Sequence, residues 1–292
     1  ARAVAAENVG TGRPHLAHRP PHAERGDSDP EAELERAAHA RSPPAPRERS
    51  SSFWSSASSR VRIWLSWINR DILTDRWSSI ESAKRLIGER AATTRPYEST
   101  GDDHVIAGGV KLYIDGSGGA RTAWLYDDWN RDFTGMDAGN KGYPTTEPDT
   151  IRQMIKLFHA AGMHISVHAI GDRAIDWIVD SYAEALRDNP TKGLRHGIIH
   201  ANIPTDHAIN EMARMQKAFD VGYPEPSATF HWWIGDNYAG NFGAARSRRL
   251  NPFKTYQNKG MIWANGSDNN VTPFPARYGI WARYAAAAIA NF

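Results

Sequence analysis

Hydrophobic positions fall into two regimes along the chain. Between residues 1 and 50 only Val4, Val9, Leu16 and Leu34 belong to the large apolar set, whereas from Phe53 onward apolar residues recur with regular spacing. Val61, Ile63, Leu65 and Trp67 alternate with Arg62, Trp64 and Ser66, which predicts a strand. Ile80, Ala83, Leu86 and Ile87 recur at helical spacing and predict a helix over Ser78–Glu89. Ala107–Ile114 is a second apolar strand, ending at Asp115. Pro148–Ala161 carries Ile151, Met154, Ile155 and Phe158 on one helical stripe, Gly162 stops it, and Met163–Ala169 is again a strand. A helix over Asp172–Arg187, a short buried strand Gly197–His200 and a helix over Thr205–Lys217 follow. A strand over Ser227–Trp232, a short helix over Pro252–Asn258 and a final strand Met261–Asn265 complete the series. This alternation predicts parallel strands joined by crossover helices, an α/β layer fold or barrel.

Composition divides the chain at the same place. The first 50 residues hold eleven Ala, eight Arg, seven Pro and no Lys, too little apolar surface to offset the entropy of ordering a backbone. Residues 1–52 are therefore expected to form a disordered Ala/Arg/Pro-rich tail and residues 53–292 the folded domain. His15, His18 and His22 lie among Pro14, Pro20 and Pro21, which deny them a regular geometry. Lys and Arg number 35 against 33 Asp and Glu, a net charge of +2, so neither a nucleic acid nor another polyanion is an expected partner. The run Arg246, Arg248 and Arg249 reads as a solvated helix face. No apolar run reaches the roughly 18 to 20 residues that span a bilayer, and no leader follows Ala1, so a cytoplasmic location and no membrane partner are expected. The chain has no Cys, which excludes a disulfide scaffold, a thiolate nucleophile and a Cys-ligated metal.

Four ionisable residues share one context, within or at the end of a short apolar strand: Lys111, His168, His200 and Asp268. In a (β/α)8 barrel such strand ends converge on one face, where active sites are built. Burying these groups is costly unless they are paired or bound to a metal, so together they suit a divalent cation. Singly, a strand histidine is more often a hydrogen-bonded core residue, and a lysine carries its ammonium outward. Gly116, Gly118 and Gly119 match neither a Walker loop nor a dinucleotide fingerprint and read as a tight active-site loop, with Arg121 available for a substrate oxygen. Phe230, Trp232, Trp233 and Tyr238 either line an aromatic pocket or pack a core.

The segments GGVKLYIDGSGGARTA at 108–123, VHAIGDRAID at 167–176, RHGIIHA at 195–201 and GSDNNVTPFP at 266–275 carry a resemblance. In this order they resemble the amidohydrolase superfamily of metal-dependent barrels, in its amidohydrolase-3 branch with the N-substituted formamide deformylases and YtcJ-like proteins. Residues 232–260 are similar to that family's connection between the last two strands. The resemblance implies a TIM barrel of the metal-dependent hydrolase type, here about strands 3 to 8, that hydrolyses carbon–nitrogen bonds of linear, non-peptide amides. It implies a divalent metal, zinc first, held by His168, His200, Asp268 and a Lys111 carboxylated by CO2, with Asp268 as general acid and base. Asp172 is expected as a helix N-cap or a support behind the ligands, His196 as a support or substrate-facing group or equally as core packing, and His164 at the opposite end of its strand. A catalytically silent barrel fragment and a barrel hydrolase of cyclic amides or phosphoesters are the alternatives. Two departures stand out: no two of the twelve His are separated by two, so the family's first-strand His-x-His pair has no counterpart, and Ile199 stands where the family commonly has Glu. A barrel short of its first strands, ending at Phe292 soon after the eighth, leaves sheet edges unpaired, which favours association, a homo-oligomer included.

Overall fold

Alternation of period two with period 3.6 builds a parallel sheet with helices on one side. The computed structural model describes residues 63–68, 70–71, 76–77, 79–92, 105–130 and 138–289, all within the unit Ser58–Phe292; the expected tail, residues 1–52, lies outside them. In chain order the first elements are β1 (Ile63–Ile68), β2 (Arg70–Asp71), β3 (Arg76–Trp77), α1 (Ile80–Arg90), β4 (Val105–Tyr113), α2 (Pro148–Ala160) and β5 (His164–Ala169). Next come α3 (Asp172–Asp188), β6 (Gly197–His200), α4 (Asp206–Phe219) and β7 (Tyr223–Glu225). The last are α5 (Thr229–Trp233), α6 (Gly235–Ser247), α7 (Phe253–Asn258) and α8 (Ala276–Ile289). Among the described residues, five strands form one parallel sheet in the order β1-β4-β5-β6-β7, and β2 pairs antiparallel with β3. The fold is a parallel α/β architecture of the (β/α)8 type, present as part of a barrel.

Capping chemistry places the helix starts. Ser79 and Ser82 of α1 exchange backbone-to-hydroxyl bonds of 3.0 Å each, a reciprocal cap that satisfies two otherwise orphaned donors. Thr205 caps α4 through Ala208 N at 3.0 Å, so the helix begins one residue later than its apolar period suggests.

One face of the sheet is apolar and covered by helices. Val110, Leu112, Ile165, Val167 and Ile198 are fully buried there, against Met154 and Phe158 of α2, Ile175 and Ile178 of α3 and Met212 of α4. Register pairs Lys111 with Ser166 and Tyr113 with His168, and His168 with Ile199 opposite Glu225. The other face therefore carries Lys111, Tyr113, His164, Ser166, His168 and Glu225, because successive side chains alternate across a strand.

Two expected strands are corrected. Ser227–Trp232 is not a strand; the sheet's fifth strand is Tyr223–Glu225, and α5 begins at Thr229. Pro226 has no N–H to extend the ladder, and Ser227 O instead accepts from Phe230 N at 3.1 Å. The expected last strand, Met261–Asn265, runs beside β7 without forming a ladder. Ala264 N donates to Pro224 O at 3.2 Å and Gly266 N to Pro226 O at 3.1 Å, but the two prolines cannot donate in return. The Gln216 side chain of α4 takes over part of that pairing, donating to Ile262 O at 2.9 Å and accepting from Ile262 N at 3.0 Å. Among the described residues no helix is long and apolar enough to cross a membrane.

Candidate functional site

The polar residues gather where β4, β5 and β6 end. His168 is the last residue but one of β5, and its Nε2–H donates to Gly116 O at 2.8 Å with Asp115 Oδ1 3.5 Å away. Burial holds its pKa down to about 4, so the ring is neutral. His200 ends β6 with φ 73°, followed by Ala201 at φ 40°. Strict alternation would put His200 on the helix-covered face with His196 and Ile198; the left-handed turn carries its ring to His168, edge-on with centroids 4.6 Å apart. Burial, then His168 and Lys111, hold His200 well below the usual histidine range. Its Nδ1 is buried with no hydrogen-bond partner among the described residues, and its ring stacks on Phe230 at 5.6 Å.

Lys111 sits on the same face, its Nζ 4.7 Å from the centre of the Tyr113 ring. Burial lowers its pKa to about 8, while the charges of Glu225 and Asp268 pull the other way. Asp268 lies on the loop after residue 266 in a left-handed conformation, φ 49°. It keeps a solvent-facing side; protein atoms around the rest of it push its carboxyl above the usual range, and Lys111 opposes that push. The structure thus brings Lys111, His168 and His200 into one neighbourhood, with Asp268 at its rim. Among the described residues no three His, Asp or Glu side chains group closely enough to hold a metal. The two neutral imidazoles and the orphaned Nδ1 of His200 fit a divalent cation as half of a site, because a metal is ligated by neutral rings with a free lone pair.

Arg121, expected to face a substrate oxygen, and Asp172 and His196, expected as supporting groups among other readings, take the following places. Arg121 is buried, its guanidinium donating to Asn241 Oδ1 at 3.1 Å and to Asn130 O, and lying over Trp129 at 5.8 Å. It fastens the loop 116–130 to α6, since Asn241 also donates to Gly118 O and Gly119 O at 2.9 and 3.0 Å. Asp172 is the first residue of α3 and not its N-cap, which is Gly171. Its Oδ1 accepts from Tyr126 N at 3.0 Å and Arg173 N at 2.8 Å, pinning the same loop. His196 precedes β6, at the end of the sheet opposite His200, and is fully buried.

That opposite end holds its own set of neutral rings. Ile165 N–H donates to His196 Nδ1 at 3.2 Å, His196 Nε2–H to His159 Nδ1 at 2.9 Å, and His159 Nε2–H to Asn189 O at 2.6 Å; the backbone partners dictate these tautomers. His164 bonds Leu194 O at 3.0 Å and Ser166 Oγ at 2.8 Å, at the strand end away from His200 as the sequence leads one to expect. Burial holds His164 down to about 4 and His196 well below 6.5, whereas Asp180 raises exposed His207. Histidine NMR resonances followed from about pH 8 to about pH 5 are expected to titrate for His207, above its ordinary midpoint, and to stay fixed for His164 and His196. The unfolded chain takes these protons near 6.5 and folded His164 only near 4. The stability His164 contributes is therefore complete above that window and lost as pH falls through it.

Two further residues escaped the pattern reading. Asp115 is buried, and its carboxylate accepts from Trp124 N at 3.0 Å, Ile170 N at 3.1 Å and Gly171 N at 2.8 Å. Burial pushes its carboxyl up to about 7 against the pull of those donors. Glu225, at the end of β7, reaches across β6 to lie 3.4 Å from Ser166 Oγ. Gly197 allows this, because a Cβ there would stand 1.9 Å from Glu225 Oε1. The signals were present but faint: Asp115 ends the strand that holds Lys111, and Glu225 lies between two prolines in YPEP.

Comparison with known proteins gives this arrangement its context. The Amidohydro_3 model, described as the amidohydrolase family, matches residues 55–285. YtcJ of Bacillus subtilis (strain 168), named as an amidohydrolase, is 30% identical over 207 residues, covering 70% of this chain and 33% of that protein. Protein LONG AFTER FAR-RED 3 of Arabidopsis thaliana is 27% identical over 163 residues, 55% of this chain and 26% of that one. The chain matches about a third or less of the length of these relatives. Crystal structures of uncharacterized metal-dependent hydrolases share its fold. That from Pyrococcus furiosus has a TM-score of 0.54 at 23% identity, covering 68% of this chain and 38% of its own. That from Pyrococcus horikoshii OT3 has 0.52 at 21%, covering 69% and 37%.

Proposed function

The chain belongs to the amidohydrolase family, and on that premise we propose that it is a metal-dependent hydrolase of carbon–nitrogen bonds in linear, non-peptide amides. The observation that carries the reading is the facing pair of neutral imidazoles, His168 and His200, with a buried and unpartnered nitrogen on His200 beside Lys111. His168 and His200 would hold the cation, and zinc suits imidazole ligands in a site with an open position. Lys111 would join them as a carbamate. Its lowered pKa leaves a larger fraction as the neutral amine, whose nitrogen bonds the CO2 carbon and releases one proton. A divalent cation held there would polarise a carbonyl and lower the pKa of water.

The remaining steps belong to the chain's own side chains. Asp268 takes a proton from the attacking water as its oxygen bonds the carbonyl carbon, and delivers it to the amide nitrogen as the C–N bond breaks. Burial raises its pKa, with Lys111 opposing, so it takes up a proton more readily than a free aspartate,. Small-molecule amides are the substrates this chemistry addresses.

Metal analysis of the purified chain, combined with assays on acyl amides, formamides, cyclic amides and phosphoesters, tests the proposal. A bound divalent cation together with turnover of linear amides is the expected result; preference for phosphoesters or cyclic amides overturns the substrate class. A folded sample without metal would instead support a catalytically silent barrel. That second reading is favoured by the absence, among the described residues, of a three-ligand His, Asp or Glu group.

A further inference from the structure

Tyr238 of α6 is about 2% exposed, and its phenol end occupies space that a side chain at Gly118 would fill. A Cβ on Gly118 would lie 2.9 Å from Tyr238 Cζ and 3.1 Å from its Oη. The ring stands edge-on to Phe230 at 5.7 Å, and Phe230 stacks on His200 at 5.6 Å. The phenol end is thereby fixed against Gly118, and Phe230 lies between its ring and the His200 ring. Asp268 and Asp115 are its charged neighbours, and burial with their fields raises its pKa far above neutrality. The hydroxyl therefore remains an O–H donor. Among the described residues Oη has no hydrogen-bond partner, and it is not sealed from accessible space. Buried tyrosine hydroxyls normally find a partner. One held against Gly118 and Phe230, within the fields of Asp268 and Asp115, has its O–H left for a ligand oxygen.

We propose that Tyr238 Oη donates a hydrogen bond to the carbonyl oxygen of the substrate amide and stabilises the negative charge that gathers there. The role rests on the hydrolase reading above. As the water oxygen bonds the carbonyl carbon, the C=O π pair moves onto the oxygen facing Tyr238. The pair returns when the C–N bond breaks and Asp268 protonates the nitrogen. Tyr238 stays protonated throughout, so its contribution is a fixed dipole aimed at charge that develops only in the transition state.

Tyr238→Phe tests this, because it removes the hydroxyl and keeps the ring against Phe230 and Gly118. The expected result is a fall in kcat of about 10²-fold with KM within about twofold, the signature of an interaction made in the transition state. A second measurement does not depend on turnover. With tyrosine labelled at 13Cζ, the resonance missing from Tyr238→Phe identifies Tyr238. Methylphosphonate, a tetrahedral oxyanion probe, is expected to shift that resonance and to bind the variant about tenfold more weakly. Unchanged kcat and unchanged methylphosphonate affinity in the variant overturn the proposal, as does a wild-type chain whose Tyr238 resonance ignores the probe. A chain that binds methylphosphonate through Tyr238 but hydrolyses no amide keeps the oxyanion donor and overturns the hydrolase reading.

Discussion

His200→Ala is expected to strip the chain of its divalent cation and to lower amide turnover by about 10³-fold or more. Two imidazoles form the half-site, with ring centroids 4.6 Å apart, and deleting one leaves His168 with Lys111 and the rim carboxylate Asp268. A metal held by three protein groups loses most of its affinity when one goes, because each ligand also fixes the geometry of the others. The ring stacks on Phe230 as well, so the alanine variant opens a cavity and loses about 2 kcal/mol of stability. His200→Gln fills more of that space; it is expected to keep most of the thermal stability while still losing metal and turnover. Metal stoichiometry and kcat/KM measured on the same samples decide the matter. A His200→Ala protein that retains both places the cation away from β6.

Asp115→Ala is expected to destabilise the fold by about 3 kcal/mol or more. The carboxylate is the acceptor for three backbone N–H groups, those of Trp124, Ile170 and Gly171, where the β4 loop meets the start of α3. Each buried donor left without an acceptor costs about 1–3 kcal/mol. Relief of the desolvation that pushes Asp115 up to about 7 offsets part of that sum. The net loss is a large share of the roughly 5–15 kcal/mol that holds a typical domain. Asp115→Asn keeps one carbonyl oxygen for these donors and is expected to lose about half as much. Urea unfolding of the three proteins at a common slope provides the measurement. A loss below about 1 kcal/mol in the alanine variant means that water or a neighbouring group satisfies the three amides, and the hub assigned to Asp115 is not one.

Most elements were legible because their evidence is local. The apolar stripe of α2 and the alternation of β4 and β5 follow from the periods of helix and strand, and these set which residues face the helices. Lys111 and His168 could be placed on the polar face for the same reason, since each occupies an inward position of an alternating strand. β7 was misplaced because Pro224 and Pro226 remove the alternating signal and the ladder donors together. Arg121 was expected near a substrate because its loop is; packing instead joins it to Asn241, 120 residues away, while His196, for which the sequence left core packing open, bonds His159 on α2.

The amino-acid sequence by itself therefore determined the order of strands and helices from β4 to α4 and the family, and it singled out the candidate ligands, all from signals encoded within a few residues of each other. The tertiary structure alone decided that His200 turns from the helix-covered side to meet His168, that Asp115 gathers three amides, and that Tyr238 enters through the space above Gly118. The physical reason is range. Periodicity and capping are set by neighbours along the chain, whereas a left-handed residue at a strand end or a ring inserted from a distant helix is stabilised by contacts that exist only after the sheet has closed around it.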